Sequence, residues 1–334
     1  MRGMTTNTEM RAVLVERYDA IDAIKIHNVS IPSVAVGEVR VKVQTVGVGF
    51  VDGLKVRGLY QTKDPLPFIP GSEFAGTVDE IGADVTGYAP GQPVLGFARS
   101  GALAEFITVP ASAVKPMPRN MPFPIAASFW TNYLTGLYAL TERAYLQPGE
   151  TLLVLGAAGG VGIAAVQIGK MLGARVIAAA STGEKRDFAI AHGADAAIDY
   201  TKPNWRDDLK VLVGEKAVDV VYDPVGGDIG LLAFRTLAWR GRHLVVGFAA
   251  GAIPALPYNL PLLKGASLVG VDIAQVEKRE PEIERRISDK LFTWLENGAL
   301  KPVVGQVFPF EEFQHAFRAM RDRKAAGKMV ISIL

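Results

Sequence analysis

The sequence predicts an α/β chain in which a doubly wound parallel sheet is inserted into a β-rich domain. Three observations carry this. The stretch Leu152–Lys170, LLVLGAAGGVGIAAVQIGK, reads as a strand, a tight glycine turn and a helix. From there to about residue 275 strand and helix patterns alternate, which is the signature of a parallel sheet with crossover helices. Before residue 120 short strands are divided by Pro and Gly, and the pieces after 276 are suited to return to that region. The expected divisions are 10–130, 131–275 and 276–334.

The glycine turn organises the rest. Leu152 to Leu155 form an apolar run, then comes Gly156-Ala157-Ala158-Gly159-Gly160-Val161-Gly162. Ile163, Val166, Gln167 and Lys170 follow at helical spacing. Backbone without side chains near position 159 admits a pyrophosphate, and the helix start offers N–H groups and positive dipole to it. Gly162 lets the helix pack closely on the strand. Ala158, Gly159, Gly160, Val161 and Gly162 are therefore the candidate phosphate contacts of a dinucleotide-binding unit. The first position of G-x-G-x-x-G is Ala157, so the pattern is a variant. On spacing alone, a strand–helix turn that binds nothing is the alternative.

The second unit bears on which dinucleotide. Arg175–Ala180 is an apolar strand after Gly173, a C-cap for the preceding helix. A carboxylate at the end of this strand would meet the ribose 2′-hydroxyl of NAD. Ala178-Ala179-Ala180-Ser181-Thr182-Gly183 contains none. Lys185 and Arg186 follow within a helical turn, and Tyr200 ends the next strand. A missing acid with cations nearby suits a 2′-phosphate, so NADPH is favoured over NADH, with Ser181, Lys185 and Tyr200 as candidate contacts. The alternative is that Ser181 and Glu184 form a capping box, with Lys185 and Arg186 in solvent.

Composition narrows the classes. The chain has 334 residues, 49% of them hydrophobic, and a net charge of +2. Nothing in that balance draws it to nucleic acid or a membrane, and no basic run is interleaved with aromatics. It contains no cysteine, which excludes disulfides, thiolate catalysis and Cys-ligated zinc and fits a cytoplasmic location. No apolar run reaches the length of a membrane span, and the opening MRGMTTNTEM lacks an apolar signal core. Residues 1–9 are expected to be a disordered tail, with the domain starting at Met10.

In chain order, Met10–Glu16 and Ile24–Asn28 read as a first hairpin. Val39–Val48, VRVKVQTVGV, alternates as a half-buried antiparallel strand does. Phe74–Val78, Gln92–Phe97 and Ala104–Val109 are short strands of a partial barrel, separated by Pro and Gly turns. Phe123–Tyr145 reads as a buried linking helix. Val218–Asp223, Arg242–Phe248 and Ser267–Ile273 are the fourth to sixth strands of the parallel sheet, with a helix at Leu231–Leu237 and an expected order of 3-2-1-4-5-6. A charged helix at Glu282–Asn297, a strand at Pro302–Phe308, a helix at Glu311–Arg323 and a strand at Met329–Ile333 complete the chain.

Several motifs in this order resemble the medium-chain dehydrogenase/reductase superfamily, in its zinc-free quinone oxidoreductase branch. They are Gly49-Phe50-Val51-Asp52, Arg57-Gly58-Leu59-Tyr60, Pro70-Gly71-Ser72-Glu73-Phe74-Ala75-Gly76, the glycine turn, Asp223-Pro224-Val225-Gly226-Gly227 and Ala326-Gly327-Lys328. The resemblance spans about 10–334 and implies a GroES-like β-rich catalytic domain with an inserted Rossmann domain. Zinc-dependent relatives carry a Cys in the first domain and a His directly before a Glu. Here Ser72 stands before Glu73, and Glu73 alone does not make a zinc site, so it is read as a buried turn carboxylate and no metal is expected. His27, His192, His243 and His315 are scattered and read as structural, His192 at a helix end.

The resemblance places Phe50, Val51 and Asp52 at the nicotinamide side of a cleft, with Tyr60 nearby. Asp52 and Tyr60 are its catalytic candidates. Tyr60 is either a hydrogen-bond donor to the acceptor oxygen or a hydrophobic wall. Gly49 stands where the family usually has Asn. Asn132 and Thr135 match positions near the nicotinamide, or are helix residues that bond locally. Val225, Gly247, Phe248 and Ala249 follow strand ends and would lie along the ribose and nicotinamide, and Lys328 is either near the cofactor or a solvated lysine. Phe97, Phe129, Trp130 and Tyr258 line an apolar pocket or are core. The implied reaction is hydride transfer from NADPH to a small quinone or enone. An enoyl-thioester reductase is a second reading, with Arg57, Lys63, Arg99 and Lys264 as a basic rim, and an NADPH-binding sensor with little turnover is a third. A homodimer through the edge strand Ser267–Ile273 is expected.

Overall fold

The computed structural model describes residues 8–19 and 21–334. The tail expected at 1–9 lies outside the described residues up to position 7, and Glu9 already opens a strand.

The first elements are β1 (Glu9–Leu14), β2 (Lys25–Ser30), β3 (Glu38–Val48), α1 (Phe50–Val56), β4 (Glu73–Ile81), β5 (Pro93–Phe97), β6 (Phe106–Pro110), β7 (Val114–Pro116) and α2 (Phe123–Leu137). Then follow β8 (Thr151–Leu155), α3 (Gly160–Met171), β9 (Arg175–Ala179), α4 (Gly183–Ala191), β10 (Ala196–Ile198), α5 (Trp205–Val213), β11 (Val218–Asp223), α6 (Gly227–Phe234) and β12 (Leu237–Val245). The chain continues with α7 (Asn259–Lys264), β13 (Ser267–Gly270), α8 (Val276–Arg279), α9 (Pro281–Glu296), β14 (Val304–Pro309), α10 (Phe313–Arg321) and β15 (Lys328–Ser332). They form two compact units, one running to Trp130 and resuming at Pro302, the other Thr131–Lys301.

In the first unit β1 and β2 pair antiparallel, and a larger sheet runs β14-β15-β3-β4-β5-β7, with β6 also on β3. The centre is β3. Val39, Val41 and Val43 point into the core while Arg40 and Lys42 point out, as the alternation requires. Beyond Gln44 the pattern ends and every residue to Val48 is buried; there β15 takes the place of β6 as the second neighbour, and the backbone of Ala127 in α2 lies directly over Gly47. The chain end thus completes the sheet of the chain start. Phe313 and Phe317 of α10 seal the same core.

The second unit holds a parallel sheet in the order β10-β9-β8-β11-β12-β13, the expected 3-2-1-4-5-6. Its central strand β8, TLLVL, is buried at every position, as a parallel strand paired on both sides is, while the edge strand β13 is largely exposed. Several boundaries differ from expectation. The linking helix is α-helical only to Leu137 and continues as a π-helical turn, Tyr138–Arg143. Leu237, expected in a helix, begins β12, whose pairing with β11 jumps from Leu237 to Arg242 around Arg240 at φ 63°. The strand β10 ends at Ile198, so Tyr200 lies in the turn beyond it. The edge strand β13 stops at Gly270 and leaves Leu268 exposed.

The second unit also extends to Lys301, past the 275 expected. Side chains tie 276–301 to it: Tyr138 Oη donates to Glu280 (2.9 Å), Arg286 donates to Glu142 (2.9 Å), and Ile287 and Leu291 are buried. Burial and the Glu280 carboxylate push the Tyr138 phenol up. No described helix is long and apolar enough to cross a membrane.

Candidate functional site

The glycine turn joins β8 to α3. Gly159 is the N-cap of α3 and has no side chain to accept the first-turn N–H groups, which leaves them for a ligand. Among the described residues a Cβ at Gly159 would meet only the Gly156 carbonyl, at 3.3 Å, so this side of the turn is open. Gly162 is different: a Cβ there would lie 2.3 Å from the Gly156 carbonyl oxygen. Only glycine lets α3 start this close to β8.

Two loops stand beside the turn, one after β11 and one after β12. They are zipped by backbone bonds: Val246 N to Asp223 O (2.9 Å), Ala249 N to Pro224 O (3.1 Å), Ala250 N to Val225 O (2.8 Å) and Gly227 N to Ala252 O (3.2 Å). Gly247 N reaches Asp223 O at 3.3 Å. Val225 Cγ2 lies 3.0 Å from where a Cβ of Gly156 would stand, and Phe248 Cδ1 lies 2.8 Å from that of Gly226. On the other flank Asn132 Nδ2 is 2.8 Å from the same point on Gly160. Asn132, Gly160, Val225, Gly247, Phe248 and Ala249 are thereby brought around one turn at the carboxyl ends of the strands, where open α/β sheets bind ligands. Thr135 behaves otherwise: its hydroxyl donates to Thr131 O (2.6 Å), the local bond open to a helical threonine.

At the end of β9 the cap of α4 is Thr182, whose Oγ1 accepts from Lys185 N (3.3 Å), which corrects the alternative of a capping box begun by Ser181. Ser181 precedes it, partly buried. Arg186 is not in bulk solvent. It donates to Ala180 O (3.3 Å) and pairs with Asp199 Oδ2 (3.0 Å). Thr201 bonds hold the Asp199 carboxyl below its usual range against the effect of burial, with the Arg186 charge adding to them. The same Asp199–Thr201 bonds fix the turn that carries Tyr200.

In the first unit, Phe50 and Val51 start α1 and are exposed. Asp52 is buried: its Oδ2 accepts from Gly49 N (2.7 Å) and its Oδ1 from Ser72 Oγ (2.9 Å). It closes the first turn of α1 as the acidic half of a capping box does. Tyr60 lies half-buried in the bend after α1. Lys328 is 7% exposed and its ammonium pairs with the Glu73 carboxylate, 2% exposed. That corrects the solvated-lysine alternative. A Cβ at Gly49 would stand 3.3 Å from Lys328 Nζ and 3.6 Å from Asp52 Oδ2, so bare backbone lies between the two charged heads.

These residues do not fit zinc. Lys328 occupies Glu73, the Ser72 hydroxyl is given to Asp52, and the chain has no cysteine. Among the described residues no three of His, Asp and Glu are grouped as a metal site requires. Of the proposed basic rim, Arg99 pairs with Asp64 (2.7 Å) and Lys264 donates to Leu237 O (2.7 Å), while Arg57 and Lys63 are exposed. Lys55 joins that group, donating to Arg99 O and lying 3.3 Å from Asp64. Phe129 is core, Trp130 is half-buried under Lys115, Phe97 is exposed and Tyr258 is 92% exposed. His192 caps α4 and His315 is exposed beside Glu312. His243 is buried against Asp223, a pair that sequence reading missed because its partners are 20 residues apart.

Comparison with known proteins identifies the class. The model of the alcohol dehydrogenase GroES-like domain matches residues 35–119, and that described as zinc-binding dehydrogenase matches 160–289. The rat quinone oxidoreductase-like protein 2 is 38% identical over 297 residues, covering 89% of this chain and 85% of that one. The quinone oxidoreductase of Thermus thermophilus, solved also in complex with NADPH, superposes with a TM-score of 0.85 at 33% identity, covering 97% of this chain and 100% of that one. CurK enoyl reductase superposes with a TM-score of 0.88 at 27% identity over 98% of this chain and 100% of that one. The chain belongs to the medium-chain dehydrogenase/reductase superfamily of oxidoreductases, in its quinone oxidoreductase group.

Proposed function

We propose that this chain is an NADPH-dependent reductase that passes hydride to a quinone or a related electron-poor alkene without a metal ion. The observation that carries this is the open, side-chain-free start of α3 beside a β9 end that bears no carboxylate. NADPH, when bound, supplies the hydride. The chain's own residues bind and orient. Gly159 to Gly162 hold the pyrophosphate against the α3 dipole. Lys185 meets the 2′-phosphate, with Ser181 and Tyr200 alongside. Asn132, Val225, Gly247, Phe248 and Ala249 border the nicotinamide end. In the first unit, Phe50 and Val51 offer apolar surface, Tyr60 donates a hydrogen bond to the acceptor oxygen as charge develops there, and Asp52 positions α1. The acceptor gains one hydride and one proton.

The likeness to CurK enoyl reductase supports a second reading, reduction of an enoyl thioester. Arg99 and Lys264, engaged within the protein, weaken its basic rim. The test is a titration with NADPH and NADH of the natural chain and of Lys185→Ala, with turnover of a quinone panel and a crotonyl thioester. Lys185→Ala is expected to weaken NADPH about tenfold, the size of one charge-assisted hydrogen bond, and NADH hardly at all. Equal losses for both nucleotides, or no turnover of any acceptor, overturn the proposal.

A further inference from the structure

Asp223 ends β11 and is 4% exposed; His243, inside β12, is 3% exposed. The Asp223 carboxylate receives three donors. Val225 N and Gly226 N reach Oδ1, both at 2.8 Å, and His243 Nε2 lies 3.0 Å from Oδ2. A carboxylate only accepts, so Nε2 carries the hydrogen. The imidazole also stacks at a tilt on Phe234, with ring centres 5.8 Å apart. Room for the carboxylate comes from α6, where a Cβ at Gly230 would lie 2.3 Å from Asp223 Oδ2.

The backbone carbonyl of Asp223 accepts from Val246 N and Gly247 N, so one residue grips both zipped loops, by its side chain on one and its main chain on the other. His243 anchors that residue to the next strand. The other imidazole nitrogen, Nδ1, is buried and has no hydrogen-bond partner among the described residues. An unpartnered buried nitrogen is a cost that an apolar side chain at 243 would remove, but such a side chain would also leave Asp223 Oδ2 without its His243 donor. The ring is kept for what its bond does to Asp223, the residue that grips both loops.

We propose that Asp223 and His243 are a positioning pair that sets the two zipped loops at the distance the nicotinamide end of the dinucleotide requires. The proposal rests on the NADPH reading above. Neither residue reacts. Val225, Gly247 and Phe248 border the ligand, and the pair decides where those three stand. The adenosine end, at β9 and α4, lies on other strands and does not depend on it.

The experiment compares two probes, NADPH and adenosine 2′,5′-bisphosphate, the latter lacking the nicotinamide half. In His243→Met the affinity for NADPH is expected to fall about tenfold, the loss of one hydrogen bond to a charged group, with the bisphosphate affinity unchanged. His243→Gln, which returns a donor near Nε2, restores most of the loss. Should His243→Met not fold, Asp223→Asn is read in the same way and is expected to show the same split. Equal falls for both probes mean a purely structural pair and overturn the proposal, as does an unaltered NADPH affinity. A natural chain that binds the bisphosphate but not NADPH, or neither, overturns the NADPH reading itself, and this proposal with it.

Discussion

The glycine turn of the second unit and the buried polar cluster of the first are made from opposite materials. Around Gly159 the structure presents backbone, and side chains are kept away. Around Gly49 it presents side chains: Asp52, Glu73 and Lys328 are all buried, each answered by a partner. The first region offers only groups that every residue has, and added atoms would close it. The second is held by charge and is broken by removing it. The difference predicts which variants lose ligand and which lose fold.

The largest effect is expected in the charged cluster. Glu73→Gln leaves the Lys328 ammonium buried with a neutral partner, which costs about 3–5 kcal/mol of stability. Adding Lys328→Met to it removes the orphaned charge and recovers part of the loss. Denaturant unfolding measures both. A single variant as stable as the natural chain would mean that the pair carries no weight in the fold, and the contrast would dissolve.

Gly159→Asp tests the other side. Aspartate is a good N-cap, and a Cβ at 159 meets only one carbonyl at 3.3 Å, so the melting temperature should hardly move. The new carboxylate takes the first-turn N–H groups and faces the pyrophosphate. Like charges about 4 Å apart repel by about 4 kcal/mol at an effective dielectric of 20, so NADPH affinity should fall on the order of 100-fold or more. An affinity equal to that of the natural chain would place the cofactor elsewhere.

The same contrast explains what was legible beforehand. The glycine turn, the six strands and their order are written in local pattern, because a buried parallel strand must be apolar and the turn must lack side chains. The β12 start was missed because Leu237 to Gly241 contain the irregular stretch at Arg240, where strand periodicity fails. Lys328 on Glu73 and His243 on Asp223 were missed for another reason. They join residues 255 and 20 positions apart, and a charged side chain in a sequence looks the same whether it meets solvent or a partner. Thr182 took the cap from Ser181 because the N-cap needs extended backbone directly before the helix, and Thr182 has it at φ −126° and ψ 159°.

The smallest expected effect concerns charge that lies between these extremes. Glu150, at the start of β8, is partly buried. Burial alone would raise its carboxyl, but the Arg242 guanidinium at 2.6 Å and the Gln147 N–H outweigh that and hold it below the usual range. A carboxyl lowered on folding stabilises the native state fully above its unfolded value of about 4.3, and that contribution fades as the pH falls through the folded value. Urea unfolding from about pH 5 to about pH 3 should therefore show a shallower fall of stability in Glu150→Gln than in the natural chain, since one group that binds its proton more readily when unfolded is gone. Arg242→Met should flatten the same stretch by removing the cause while leaving the carboxyl. If both variants keep the natural slope, the pair at the start of β8 is indifferent to acid, and only the fully buried charges of the first unit distinguish the two regions.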